Sequence, residues 1–114
     1  MIVVIFEVIP KQAGRAEYLD IAADLHQHLA EIPGFISIER FQSLADPDKV
    51  LSLSFWQDEA SVSQWRNLNE HRTAQAKGRG SLFEDYRIRV GSITRDYSMA
   101  AREQAPNDSR AVHV

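Results

Sequence analysis

The segment IVVIFEVIP, residues 2–10, decides the fold because an extended chain of this sequence is apolar on both sides. Alternate side chains of a strand point to opposite faces of the sheet. One face holds Ile2, Val4, Phe6 and Val8, and the other holds Val3, Ile5 and Ile9. A sheet built on this strand needs a cover on each face, since a monomer in water exposes only small apolar patches.

Downstream of this strand, the apolar residues change to a helical period. From Arg15 onward they are spaced four, three, four and three residues apart, which predicts one apolar stripe on a helix that Pro33 and Gly34 end. The stripe consists of Tyr18, Ala22, Leu25, Leu29 and Ile32.

Three further strands and one helix follow. The strands are predicted at Phe35–Ser43, with Ile36 and Ile38 on one face, at Val50–Gln57, and at Tyr86–Ile93, with a bulge at Gly91. Asp58 is a suitable N-cap for the second helix, which we expect to run to about Lys77. Its inward residues are Val62, Trp65 and Leu68.

The order β-α-β, β-α-β predicts an α+β fold of the ferredoxin-like βαββαβ type. Right-handed crossovers give a four-stranded antiparallel sheet with both helices on one face. The third strand is likewise apolar on both sides, with Val50 and Trp56 opposite Leu51, Leu53 and Phe55, so the face away from the helices also needs a cover. The simplest cover is a second copy of the chain packed sheet against sheet, so we predict a homodimer.

The length of 114 residues suits one domain. We expect it to span residues 1–97, with residues 98–114 as a mobile C-terminal tail that has few large apolar side chains. A net charge of −3 argues against nucleic-acid binding, and the absence of cysteine excludes disulfides and thiolate sites. Glu7 interrupts the first apolar run, which is too short to span a membrane, so a cytoplasmic protein is expected.

Two segments carry a family resemblance. Residues 56–60 (WQDEA) with 65–75 (WRNLNEHRTAQ), and residues 86–90 (YRIRV) with 95–97 (RDY), resemble the second helix and last strand of the antibiotic biosynthesis monooxygenase family. The resemblance extends over about residues 2–97. It implies a dimeric α/β barrel whose cavity lies between the helices and the sheet of each subunit.

The family includes cofactor-free oxygenases of aromatic phenols and anthrones, quinol-directed oxygenases and haem-degrading oxygenases. The resemblance therefore implies a cofactor-independent monooxygenase that acts on a small aromatic, phenolic or quinol-like compound. Two alternatives remain open: a non-catalytic dimer that binds a small apolar metabolite, and a scaffold whose interior is filled by core side chains.

Trp65 and His71 are the catalytic candidates. The family places a Trp at the position of Trp65 beside the substrate, although this residue also fits an ordinary core stripe. Imidazole exchanges a proton near neutral pH, and the family's aromatic-polyketide branch has a Tyr where this chain has His71. On an unbroken helix His71 would lie roughly 120° from Trp65. Asn67 and Glu70 resemble a capping box that would break the helix between them.

The substrate-binding candidates implied by the resemblance are Trp65, Leu68, Gln75 and Phe6. The haem-degrading branch has its iron-binding His where this chain has Gln75, and an Asn on the first strand where this chain has Phe6 and Glu7. Gln is a poor haem ligand, so haem degradation is disfavoured.

Three other polar features have two interpretations each. Glu7 could be a base facing the cavity, or it could pair with Arg87 or Arg89 of the last strand at the dimer interface. Arg79 could meet an anionic substrate group or simply be solvated. His26 and His28 point about 200° apart on a helix and cannot share a metal ion, so no metal site is predicted.

Overall fold

The computed structural model describes residues 1–68, 73, 76 and 82–112. Its elements are β1 (Ile2–Pro10), a 3-10 turn (Gln12–Gly14), α1 (Arg15–Leu29), β2 (Phe35–Gln42), β3 (Val50–Trp56), α2 (Glu59–Arg66), β4 (Phe83–Ser92) and α3 (Asn107–Val112). Residues 73 and 76 are also helical. Among the described residues, no helix is long and apolar enough to cross a membrane.

The four strands form one antiparallel sheet in the order β2-β3-β1-β4. The apolar β1 lies between β3 and β4, with Ile5 opposite both Leu53 and Arg89. Both helices pack on the same face of the sheet, because Leu29 of α1 and Val62 of α2 join one buried cluster with Trp56 of β3. The predicted α+β ferredoxin-like fold is confirmed.

Hydrogen bonds define the start of α2 and the corner that precedes β2. The Asp58 side chain accepts a hydrogen bond from the Ser61 backbone N–H over 2.9 Å, as expected of an N-cap. The Ser61 hydroxyl lies 2.7 Å from the Pro33 carbonyl oxygen. Between them, Gly34 adopts φ +92°, and a Cβ there would collide with the Ser61 side chain. Only glycine suits this corner, which ties the end of the α1 segment to α2.

Three local predictions need correction. The register of β2 shifts between Phe35 and Ser37, so Phe35 and Ile38 pack against the buried cluster while Ile36 is 45% exposed. The bulge predicted at Gly91 lies instead at Ile9 and Pro10, where a missing proline N–H interrupts the β1–β4 ladder. The second helix ends at Arg66, well before Lys77.

The buried residues on the helix side form two groups, one at each end of the sheet. The first contains Leu29, Ile32, Trp56 and Val62, and the second contains Val8, Tyr18 and Val50. Between them β3 presents Ser52 and Ser54, which are small. The helix-facing side of the sheet is therefore well packed at its ends and less filled in the middle.

The opposite face, which we call the open face, carries an apolar stripe across the central strands. Ile5 pairs with Leu53, Val3 with Phe55, and Glu7 with Leu51 in the β1–β3 register. Glu7 Oε1 accepts a hydrogen bond from Arg89 Nη1 over 2.9 Å, and Glu7 Oε2 lies 3.9 Å from Lys49 Nζ. The predicted pairing of Glu7 with Arg89 is confirmed, and its place at a dimer interface stays a prediction.

The C-terminal segment has some structure of its own. It forms the six-residue helix α3, and Ala105 just before it is buried. Arg102 lies with its guanidinium 5.3 Å from the ring centroid of Tyr97. The domain boundary after residue 97 and the mobility of the tail stay predictions.

Candidate functional site

A cavity of about 190 Å³ lies between the helices and the middle of the sheet. Its floor comes from the helix-facing residues of β1, β3 and β4, and its roof from α1 and α2. It exists because β3 places Ser52 and Ser54 between the large side chains at the two ends of the sheet. This volume is below that of most drug-sized pockets and is close to that of apolar cavities that bind benzene, so it suits a small organic molecule.

One end of the cavity is aromatic. Trp65 of α2 lies against Trp56 of β3 with ring centroids 6.4 Å apart and an interplanar angle of 31°. Trp56 is 1% exposed, and its Nε1 donates a hydrogen bond to Ser54 Oγ over 3.0 Å. Trp56 is held on its other side by an edge-to-face contact with Phe35 at 5.3 Å. This end offers two fixed indole surfaces to a flat apolar ligand.

The middle of the cavity is polar. Arg40 of β2 pairs with Ser52 of β3, and both side chains line the cavity. Arg40 Nη2 donates a hydrogen bond to the Ala22 carbonyl oxygen of α1 over 3.3 Å. Burial raises the pKa of the Tyr18 hydroxyl, while the adjacent Arg40 guanidinium acts in the opposite direction. The Tyr18 hydroxyl thus lies against a positive charge, and its oxygen accepts a hydrogen bond from Arg40.

The structure places two of the candidate site residues in the cavity wall. Trp65 and Phe6 both line it. Leu68 is half-buried just beyond α2, and it is not among the described residues of the wall. His71, Gln75 and Arg79 lie outside the described residues, so their predicted roles stay predictions.

The break between Trp65 and His71 is present where it was expected. The helix α2 ends at Arg66, and Asn67 adopts a turn conformation with φ −94° and ψ 1°. Asn67 Nδ2 donates a hydrogen bond to the Ser63 carbonyl oxygen over 2.8 Å. Residue 73 is helical again, while Glu70 of the predicted capping box lies outside the described residues. The simple helical angle between Trp65 and His71 consequently does not apply.

The sequence interpretation missed the polar residues of the cavity, namely Arg40, Ser52 and Tyr18. The alternation of β3 contained a usable signal, because Ser52 and Ser54 have the same parity as Val50 and Trp56 and so share their face. The alternation of β2 likewise gives Arg40 the face of Ile38, which packs against the helix-side cluster. The bulge near Phe35 affects Ile36 instead, and a bulge is not visible in a period-two pattern.

No group of three or more His, Cys, Asp or Glu residues within ranges 1–68 and 82–112, or at 73 and 76, could hold a metal ion. The described wall of the cavity likewise contains no His, Asp or Glu side chain. The described polar groups of the wall are guanidinium, hydroxyl and indole groups. They can orient a ligand and hydrogen-bond to it, and they do not include an evident proton acceptor.

Comparison with known proteins gives consistent matches. Residues 1–77 match the family model described as antibiotic biosynthesis monooxygenase. The chain is 48% identical over 94 residues to the jasmonate monooxygenase ABM of Pyricularia oryzae, covering 82% of this chain and 44% of that protein. It is 30% identical over 86 residues to the uncharacterized protein YqjZ of Bacillus subtilis, covering 75% of this chain and 73% of that protein.

Among solved structures, a proposed antibiotic biosynthesis monooxygenase from Deinococcus radiodurans superposes with a TM-score of 0.77 at 12% identity. The match covers 86% of this chain and 97% of that chain. At this identity the likeness concerns the fold. The present chain spans less than half the length of the Pyricularia relative.

Proposed function

Because the chain belongs to the antibiotic biosynthesis monooxygenase family, we propose that it is a cofactor-independent monooxygenase acting on a small aromatic, phenolic or quinol-like compound. The observation that carries this proposal is the cavity of about 190 Å³ with Trp65 in its wall. The relative from Pyricularia oryzae, named a jasmonate monooxygenase, supports an oxygenase and widens the range of substrates to be tested.

The proposed chemistry uses the substrate as the source of electrons. An electron-rich phenol or anthrone loses a proton, and the resulting carbanion passes an electron to dioxygen. The protein then has three tasks: to orient the substrate, to accept the proton and to keep water out. Trp65 would orient the ring, with Phe6, Leu68 and Gln75 as further contacts, and His71 would accept the proton.

Haem degradation remains disfavoured within this proposal. Phe6 lines the cavity as an apolar side chain, whereas Glu7 faces the open side and pairs with Arg89. Neither residue resembles the amide that the haem-degrading branch has on this strand. A haem titration should therefore give no shift of the Soret band. A shift would show that the chain binds haem and would contradict this expectation.

We further propose that the active form is a cytoplasmic homodimer, as the family is typically dimeric. The support is the apolar stripe on the open face, where Ile5, Leu53 and Phe55 lie side by side. A second copy packed on this face would leave the helix-side cavity of each subunit intact.

A second candidate function is a non-catalytic binder of a small apolar metabolite. The observation that favours it is the absence of a His, Asp or Glu side chain from the part of the cavity wall that the structure describes. If this candidate is correct, ligands bind without oxygen consumption.

The deciding experiment measures oxygen uptake with hydroquinones, anthrones, phenols and jasmonate. We expect at least one compound to be consumed by the wild type, with the rate lowered about 100-fold or more in His71→Ala. Trp65→Ala should raise KM as well as lower the rate. The matched control is His26→Ala, because His26 is exposed on α1. No oxygen uptake above background with any compound would contradict the enzyme and favour the binder.

A further inference from the structure

Two arginines, Arg40 and Arg66, line the cavity, and Arg40 has no negatively charged partner among the described residues. Arg40 reaches from β2 into a wall that also contains Val4, Leu25 and Ile88. Its Nη2 donates to the Ala22 carbonyl oxygen, whereas its Nε is buried and has no hydrogen-bond acceptor in the described part of the chain. The two ion pairs described in this structure involve Glu7 with Lys49 and with Arg89, not Arg40.

Arg40 is half-buried and its Nε atom is buried, so its charge is partly withdrawn from water, at a cost that a partner of opposite charge would reduce. Burying an ionised group without a partner is far more expensive than burying an apolar one, so buried charges are normally paired and hydrogen-bonded. A guanidinium stays protonated at ordinary pH, so deprotonation cannot relieve the cost of burying its charge. The carbonyl of Ala22 supplies one hydrogen bond but no negative charge. Within the described part of the chain, Arg40 therefore keeps its Nε donor without an acceptor and its charge without a carboxylate nearby, although it also hydrogen-bonds the Tyr18 side chain.

The neighbours of Arg40 add hydroxyl groups and not anions, and the Tyr18 oxygen accepts a hydrogen bond from Arg40. The Tyr18 side chain lies beside the guanidinium and is 7% exposed. Because burial raises the pKa of Tyr18, it remains a neutral phenol and does not compensate the charge. Ser52, directly across the strand pair, contributes a hydroxyl. Such a set of hydroxyl groups around a guanidinium suits a carboxylate, which accepts several hydrogen bonds and carries one compensating charge.

The aromatic end lies at a distance that suits the remainder of such a molecule. Ser52, opposite Arg40, is four residues from Trp56 on β3, which corresponds to ~13 Å along an extended strand. Trp65 packs against Trp56 at that end. A ligand with its acidic group at Arg40 could thus place an apolar body toward the two tryptophans.

We propose that the cavity binds a small apolar carboxylic acid, with the carboxylate on Arg40 and the apolar part directed toward Trp56 and Trp65. This inference rests on the proposed function, because it specifies an acidic group on the compound that the same cavity takes. Arg40 is then a specificity-determining residue, one that selects the acid over the corresponding ester or amide.

The test uses three probes of nearly equal size: 4-phenylbutyrate, its methyl ester and its primary amide. The chain has two tryptophans, and both line the cavity, so intrinsic fluorescence reports binding without requiring any reaction. We expect the wild type to bind the acid about tenfold to a hundredfold more tightly than the ester or amide. In Arg40→Met this preference disappears, because the acid loses its partner while the ester loses little.

Arg95→Met is the matched control, since Arg95 is exposed beyond β4 and should leave all three affinities unchanged. Arg40→Lys keeps the charge without the planar guanidinium, and an intermediate preference for the acid is expected. Far-UV circular dichroism verifies that each variant folds. The comparison of the three probes in the wild type needs no variant and remains decisive if Arg40→Met does not fold.

Equal affinity for acid, ester and amide in the wild type would overturn the inference. So would an unchanged preference for the acid in Arg40→Met, or no fluorescence change with any probe. The two proposals fail separately. Oxygen consumption with neutral compounds only would support the proposed monooxygenase and contradict the proposed carboxylate site. Binding of the acid without oxygen consumption by any compound would support the carboxylate site and contradict the monooxygenase.

Discussion

The two faces of the sheet differ most in the middle of β3. The face covered by the helices carries Ser52 and Ser54 there, between the buried Val50 and Trp56, while the open face carries Leu51, Leu53 and Phe55. An ordinary two-layer domain would have large apolar residues under the helices along the whole strand and polar ones outside. The covered face is less densely packed in the middle, which leaves a cavity. The open face has an apolar surface that α1 and α2 do not cover, so it needs another cover.

The two faces also differ in how their charged side chains are paired. On the open face, Glu7 pairs with Arg89 and lies near Lys49, so these charges are compensated within the subunit. On the covered face, Arg40 has no carboxylate partner within the described residues. A compensated face is suited to packing against protein, whereas an uncompensated charge in a cavity is suited to a ligand.

The largest effect is expected from a charge placed on the open face. Leu53→Glu should convert the proposed dimer to monomer, since an unpaired charge in an interface costs about 3 kcal/mol or more, equivalent to over a hundredfold in Kd. Sedimentation velocity at micromolar concentration measures this. Leu44→Glu is the control, because Leu44 is 100% exposed in the β2–β3 turn and tolerates charge. If the Leu53→Glu variant remains dimeric, the dimer interface does not lie on the open face.

The next effect concerns the covered face. Ser54→Ala removes the acceptor of the Trp56 indole N–H, and leaving this buried donor unpaired should cost about 1–3 kcal/mol in the free energy of unfolding. Urea denaturation gives the value. The control is Ser37→Ala on the exposed part of β2, which should change stability by less than about 0.5 kcal/mol. Equal stabilities of the two variants would show that the Ser54 hydroxyl is dispensable.

A pH-dependent difference is expected at Tyr18. Burial raises its pKa in the folded protein, so its contribution to stability is complete below the unfolded-state pKa of about 10 and is lost as the pH rises through the folded-state pKa. The wild type should lose stability relative to Tyr18→Phe only on the alkaline side. Urea denaturation at pH 8 and at pH 10.5 checks this, with Tyr97→Phe as the exposed control. If the difference in the free energy of unfolding between the wild type and Tyr18→Phe is the same at both pH values, the pKa of Tyr18 is not raised by burial.

The smallest effect is expected at the ion pair of the open face. Glu7→Gln should reduce stability by about 0.2–1 kcal/mol at low salt, as is usual for partly exposed pairs, and the difference should shrink at high salt. Glu103→Gln in the exposed C-terminal segment serves as the control. An effect well above this range in the dimer would mean that a second copy excludes water from Glu7 and Arg89.

The order of elements, the antiparallel sheet and the position of Trp65 could be predicted from the sequence. Each depends on local properties: β-branched runs, the period of Tyr18, Ala22 and Leu29, and the N-cap at Asp58. Such patterns determine which face of each element is buried, and burial of apolar surface dominates the energy of the fold. The two apolar faces of β1 likewise follow from alternation alone.

Only the tertiary structure decided where the cavity lies and which polar groups it contains. Arg40 shares the helix-facing side of β2 with Ile38, but its place in the cavity wall and its lack of a carboxylate partner among the described residues depend on which elements pack around it. These properties arise from contacts between residues that are distant in the chain, such as Tyr18, Arg40 and Ser52. A single sequence records the chemistry of such residues, whereas packing decides which of them meet.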